Sequence, residues 1–162
     1  MTITPAVTAN LLALNAAHEA ETSPLTPATL HQLLADSWHL GLAGTYGSDG
    51  FLIALDDSSD HLGINFQWFK ARYPRFVYID RVIVAGTARG RGVARALYDE
   101  LFRRAAADGV PLIGCEVNST PPNPASDAFH QRLGFAEVGR AALPGGNKQV
   151  RYLARPTDNW RA

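Results

Sequence analysis

Tyr78–Leu97, YIDRVIVAGTARGRGVARAL, begins as an apolar run that ends in Val82-Ile83-Val84. It passes through a short turn of Ala85, Gly86 and Thr87 into Arg89-Gly90-Arg91-Gly92-Val93-Ala94, and then into a helix-forming segment. A strand, a glycine-containing loop and a helix N-terminus in series present unpaired backbone N–H groups, at the positive end of the helix dipole, to an anion. Gly90 and Gly92 carry no Cβ, so the backbone can approach a ligand closely there. Arg89, Arg91 and Arg95 concentrate positive charge at a helix start, which opposes the dipole unless an anion is bound. The stretch reads as a pyrophosphate cradle in preference to an ordinary basic turn. It is not the dinucleotide fingerprint G-x-G-x-x-G, because Arg95 stands where the third glycine would be. Nor is it a nucleotide-triphosphate loop, because no Lys-Ser or Lys-Thr pair follows the last glycine.

The chain is 162 residues long, which predicts one domain, over residues 1–155, with a polar tail at 156–162 that includes Trp160. Hydrophobic residues make up 46% and charged residues 19%, in the range of globular domains. Fifteen basic and fifteen acidic side chains cancel, which argues against general nucleic-acid binding and gives no steering to anionic membranes. One cysteine, Cys115, excludes an intramolecular disulfide framework and a cysteine-rich zinc site. His18-Glu19 has no second histidine at the spacing of H-E-x-x-H, so no metal is expected. No run is long enough to span a bilayer and no basic leader is present, so a cytoplasmic location is the default expectation.

Along the chain, Ile3–Leu14 reads as a first strand and Asn15–Glu21 as a short helix, broken at Ser23-Pro24. Thr26-Pro27 starts a helix carrying Leu30, Leu33 and Leu34 on one face. His39–Tyr46 and Phe51–Leu55 flank Gly47-Ser48-Asp49-Gly50, a hairpin signal. Asp56–Asp60 is a polar acidic loop, a solvated turn before it is a lure for a cation. Ile64–Tyr73 gathers Phe66, Trp68, Phe69 and Tyr73, either as core packing or as an aromatic wall of a binding site; long insertions of this kind are often functional. Phe76–Val84 is a buried strand in which the adjacent charges Asp80 and Arg81 need a reason to be there. A helix with Val93, Leu97, Leu101 and Ala105 on one face follows, ending at Gly109. Leu112–Val117 is the next strand. Ser126–Leu133 is a helix with Ser126 as its N-cap, and strands to about Arg140 and over Gln149–Ala154 complete the chain.

Arg89, Gly92 and Ala94 form R-x-x-G-x-A. This resembles the acyl-CoA signature Q/R-x-x-G-x-G/A of the GNAT superfamily of N-acyltransferases. Asn123–Phe135, NPASDAFHQRLGF, resembles a second stretch of that family, N-x-x-(S/A)-x-x-(F/L)-Y-x-x-x-G-F, through Asn123, Ser126, Phe129, Gly134 and Phe135. The two stand in the family's order, one helix and one strand apart, and the resemblance covers Phe76–Arg155. It implies an α/β (α+β) fold: a mixed, strongly twisted sheet of about seven strands flanked by about four helices. It also implies a split between the fourth and fifth strands, and acetyl-CoA as co-substrate. By the same resemblance the backbone of Val82, Ile83 and Val84 pairs with pantetheine, while Arg89, Gly90, Arg91, Gly92, Val93, Ala94 and Arg95 form the pyrophosphate loop. Asn123 then contacts the CoA arm, although a turn residue before Pro124 would look the same. Homodimers are common in the family.

An N-acetyltransferase needs a base for the amine, a donor for the developing oxyanion and help for the leaving thiolate. Two carboxylates compete for the first role. Asp80 is slightly preferred and by alternation lines up with Tyr78 and Val82; Glu116 lines up with Leu112 and Gly114. A salt bridge to a nearby arginine would make Asp80 structural instead, and a carboxylate satisfied by backbone would do the same for Glu116. For the acid the family usually has a tyrosine directly after the Phe129 position, and here it is His130. Its reference pKa suits neutral pH, but it can equally be a hydrogen-bonding substitute. Cys115, in an apolar strand, reads as core. The expected acceptor is a primary amine of a small molecule, with a protein N-terminus or lysine as second choice. The rival readings are a non-catalytic CoA-binding module and an acyl-CoA hydrolase or decarboxylase on the same cradle.

Overall fold

The computed structural model describes residues 3–158. Five helices, α1 (Pro5–Ala17), α2 (Pro27–Asp36), α3 (Ile64–Lys70), α4 (Val93–Ala107) and α5 (Pro124–Arg132), surround one mixed sheet. Its six strands are β1 (His39–Ala43), β2 (Gly50–Asp56), β3 (Val77–Val84), β4 (Leu112–Thr120), β5 (Ala136–Ala142) and β6 (Gln149–Pro156), in the order β1-β2-β3-β4-β6-β5. Only the central β3–β4 pair is parallel. Helices α1, α2 and α3 bury Leu11, Leu30, Phe66 and Phe69 against one face. Helix α4 and the α5–β5 corner bury Leu97, Leu101, Phe102, Leu133 and Phe135 against the other.

The strand expected over Ile3–Leu14 is helix α1, which is why the sheet has six strands and not about seven. Thr4 is extended and caps the helix through its hydroxyl, and Pro5 occupies the first turn, where its missing N–H costs nothing. The buried positions Val7, Leu11 and Asn15 recur every four residues, a helical stripe that the surrounding leucines and alanines obscured. Helix α5 starts earlier than expected: Asn123, not Ser126, is its N-cap, accepting from the Ser126 N–H at 3.3 Å, and Pro124 follows as first helical residue. Strand β6 runs on to Pro156, and Thr157 is buried, its N–H donating to the Pro111 carbonyl at 3.1 Å. Trp160 lies outside the described residues.

The aromatic insertion divides. Phe66 and Phe69 are wholly buried core, whereas Trp68 is half-exposed, stacked on Tyr152 at 4.1 Å under the Arg72 guanidinium. Phe69 lies where a Cβ on Gly114 would be, so this strand position admits only glycine.

Candidate active site

Strands β3 and β4 pair only at Val77–Ile113 and Tyr78–Gly114, and then part. The split that was expected between the fourth and fifth strands is this one, with the numbering reduced by the loss of the first strand. A cavity of about 250 Å³ fills it. Ile79–Val84 of β3 wall one side and Cys115–Asn118 of β4 the other. Arg89, Tyr98, Asn123, Ser126 and His130 close the α4–α5 side, and His18, Glu21 and Thr22, between α1 and α2, form a third wall.

On one side of the cavity the chain offers backbone. Beyond Tyr78 the edge of β3 turned toward β4 has no strand partner, leaving amide and carbonyl groups of the Val82–Val84 segment for a ligand. Gly90 and Gly92 both hold φ near +75°, and nothing lies within 4 Å of where either Cβ would be. Glycine is therefore required by the backbone turn and not by crowding. Gly92 is the left-handed N-cap of α4 and no side chain caps that helix. The N–H groups of Val93, Ala94 and Arg95 thus begin a helix whose positive end is uncovered. Arg89 is exposed and lines the cavity, Arg91 stands 3.7 Å from Asp49, and Arg95 is held 2.9 Å from Asp99. This loop fits a polyanion.

The other side offers carboxylates, and they differ. Strand β3 carries a bulge: Ile53 faces Arg81 and Ala54 faces Ile79, so Asp80 is the extra residue. The bulge reverses the alternation. Tyr78 and Ile83 join the core on the α1–α3 face, while Ile79 and Val82 pack on the α4 face. Asp80 therefore does not share one uninterrupted face with Tyr78 and Val82, as plain alternation predicts. It binds Arg81 Nε at 2.8 Å, with His61 at 3.6 Å. Arg81 is buried and also donates to Asn15 Oδ1 at 2.8 Å and to Ser23 Oγ at 3.0 Å. The adjacent charges thus tie the α1–α2 wall to β3.

Glu116 obeys alternation, facing the α3 side with Leu112 and Gly114. It is half-buried beside the cavity and has no cationic partner among the described residues. Tyr78 donates to its Oε2 at 2.5 Å. Burial pushes its pKa up to about 7, and the Asp80 charge adds to this, while hydrogen bonds from Tyr78 and Asn65 oppose it.

His130 is buried with both ring nitrogens engaged. Nδ1 lies 2.7 Å from the Ser126 carbonyl, which can only accept, so Nδ1 carries the proton and Nε2 accepts the Tyr98 hydroxyl at 2.7 Å. Burial lowers the His130 pKa and raises that of Tyr98 well above its ordinary value, so the pair is neutral. Burial likewise raises the Cys115 thiol, which keeps it protonated and unreactive. Asn123 and Arg89 reach the cavity as expected from the motifs. Tyr98, Glu21 and His18 were not singled out as site residues, since no motif marks them; none of Asp56–Asp60 lines the cavity.

The model of the Acetyltransferase (GNAT) family matches residues 18–135. The chain belongs to this family. Over 91 residues it is 32% identical to an L-2,4-diaminobutyric acid acetyltransferase of Nocardia farcinica (strain IFM 10152), a match that covers 56% of this chain and 44% of that protein. The chain thus matches less than half the length of this curated relative. The GNAT fold is shared with an aminoglycoside 6'-N-acetyltransferase complexed with coenzyme A (TM-score 0.71, 14% identity, 98% of this chain and 95% of that one). It is also shared with a ribosomal-protein-alanine N-acetyltransferase from Brucella melitensis (TM-score 0.68, 23% identity, 94% and 96%). Among the described residues no group of three or more His, Cys, Asp or Glu is placed to hold a metal ion, and no helix is long and apolar enough to cross a membrane.

Proposed function

We propose that this GNAT protein is an N-acetyltransferase that moves an acetyl group from acetyl-CoA directly to a primary amine of a small molecule. The observation that carries the reading is the two-sided cavity: an unpaired strand edge and an uncapped, glycine-led helix on one side, a half-buried Glu116 with its pKa pushed up to about 7 on the other. The first side suits the pantetheine and pyrophosphate of acetyl-CoA, held by Val82–Val84 and by the N–H groups that follow Arg89. The second suits the amine. Glu116, able to gain or lose a proton near neutral pH, takes the proton that the ammonium must lose before its nitrogen can attack. Backbone N–H groups of the free β3 edge face the thioester oxygen as it gathers charge. The Tyr98–His130 pair, bordering the same cavity, is the source of help for the departing thiolate. Asp80 serves by holding Arg81.

A small acceptor is favoured by the named substrate of the curated relative. Thiol release from acetyl-CoA, measured against a panel that includes 2,4-diaminobutyrate, other amines, aminoglycosides and peptides with a no-acceptor control, tests this. Release that depends on a small amine is the expected result. Release that depends only on peptides would move the acceptor to a protein N-terminus, and release without acceptor would make the protein a hydrolase. Binding of acetyl-CoA with no release in any well would leave a CoA-binding module.

A further inference from the structure

Helix α3 interrupts a hairpin-like β2–β3 connection, and its aromatic residues do not reach the cavity. Phe66 and Phe69 are spent on the core and Trp68 stacks outward on Tyr152. Its polar first turn is another matter. Tyr152, register partner of Glu116 across β4 and β6, donates its hydroxyl to Asn65 Oδ1 at 2.9 Å. That bond decides the orientation of the amide: with Oδ1 committed to Tyr152, the NH₂ group is the end left to donate, and Asn65 favours the ionised form of Glu116. From the other strand Tyr78 donates to Oε2 at 2.5 Å. Phe69, on the same helix, packs where a Gly114 side chain would be, at the last paired position before the strands part. The helix is therefore keyed to β4 at the mouth of the split.

We propose that α3 is the positioning element for Glu116: Asn65, oriented by Tyr152, donates its amide NH₂ to the carboxylate and, together with the Tyr78 hydroxyl, holds it at the cavity. Asn65 and Tyr152 act through Glu116 and are positioning residues. Their importance to turnover rests on the reading of Glu116 as base. The groups around the carboxylate are few. Strand β3 brings Tyr78 and Asp80, β4 brings the Cys115 thiol, α4 brings Tyr98, β6 brings Tyr152 and α3 brings Asn65. None of these groups is a cation, and Arg81, beside Asp80 on β3, is bound to Asp80. Tyr78, Asn65 and the backbone N–H of Glu116 itself favour the ionised form, and burial and Asp80 oppose it.

The test is the titration of Glu116 itself, followed through its carboxyl carbon by NMR in full-length protein, beside the pH profile of kcat/KM for thiol release. Asn65→Ala removes a donor and is expected to raise the Glu116 titration by about one pH unit, since a hydrogen bond to a charged group is worth about that much. Asn65→Asp replaces the donor with a second negative charge and should raise it further. Tyr152→Phe frees the amide to turn and should raise it by less than Asn65→Ala. Gln67→Ala, on the same helix but exposed, should leave it unmoved. The rate profile should shift with the titration in each variant. An unshifted titration in both Asn65 variants, folded as judged by Tm, would overturn the proposal, as would a downward shift in Asn65→Asp. If the titration moves and the rate profile does not, Glu116 is not the base, while its hold by α3 stands.

Discussion

Strands β3 and β4 leave the same point of the sheet and each brings one carboxylate to the split, yet the two sites have opposite physics. Asp80 sits on a bulge and is neutralised at once by Arg81, whose guanidinium is fixed by Asn15 and Ser23. Glu116 sits on a regular strand, likewise half-buried, with only neutral donors around it. Pairing with a cation gives a structural link; Glu116, without one, is left balanced between its two protonation states. On the function proposed above, the β3 carboxylate would serve stability and the β4 carboxylate chemistry.

The largest effect expected is therefore on rate, at Glu116. Glu116→Gln should lower kcat/KM by about 10²–10⁴, the usual contribution of a general base, and should erase the rise in kcat/KM expected of wild type as pH increases through about 7. It should not cost stability at alkaline pH. The folded pKa lies above the ordinary value, so between the two the folded state binds the extra proton and stability falls as pH rises; above both, wild type carries a buried charge that the glutamine lacks. Thermal unfolding of both proteins at pH 8 checks the sign, and a marked loss of Tm in the variant would contradict it.

Asp80→Asn should do the reverse. Removing one member of a buried pair strands the other, which typically costs about 3 kcal/mol. A fall in Tm with kcat/KM within about tenfold of wild type, assayed well below the transition, is the expected outcome. A variant that kept its Tm and lost its rate would exchange the two assignments.

The sequence made one half of this site readable and not the other. Arg89, Gly90 and Gly92 lie in one short motif and Asn123 in a second, and the turn and the two helix N-caps they form are local backbone features written within each stretch. The split itself followed from the resemblance those motifs carry. The carboxylate half is assembled across the fold. Glu116 was placed on its correct face because β4 keeps period 2 there, whereas Asp80 was not, because a single inserted residue in β3 reverses every face beyond it. A register shift is a property of two strands and has no mark in one. Asn65 lies within an aromatic run whose bulk drew the reading toward Phe66, Trp68 and Phe69, and its partner Tyr152 is 87 residues away. Helix α1 was mistaken for a strand because its buried stripe is interrupted by apolar residues that remain partly exposed.

On the backbone side of the cavity, effects should be smaller and confined to acetyl-CoA. Gly92→Ala places a Cβ at φ +75°, a conformation that costs an L-residue about 1–2 kcal/mol, and the loop can relieve it only by retilting the first N–H groups of α4. KM for acetyl-CoA should rise by about tenfold, since 1.4 kcal/mol corresponds to that factor, with the Glu116 pH profile unmoved. Isothermal titration with CoA reads the same change without turnover. A shift in the acceptor's KM alone would break the division of the cavity into a cofactor side and an amine side.

The smallest effect is the one that asks what His130 contributes. Tyr98→Phe removes the hydroxyl that fills Nε2 and leaves the imidazole buried with one nitrogen unpaired, at a cost of about 1 kcal/mol. If the pair only fastens α4 to α5, this loss of stability is the whole result, and His130→Ala adds a packing defect but no change in the shape of the pH profile. If the pair delivers a proton to the leaving thiolate, Tyr98→Phe should also lower kcat severalfold for acetyl-CoA. It should do so much less for an acyl donor whose thiol is more acidic, because a better leaving group needs less help. The neutral state of both partners makes Tyr98, with its hydroxyl proton, the member able to donate, and His130, with Nδ1–H fixed on Ser126, the one that holds it. A tyrosine from α4 would then do from a neighbouring helix what the family's tyrosine does from α5, and equal sensitivity of kcat to both donors would rule that out.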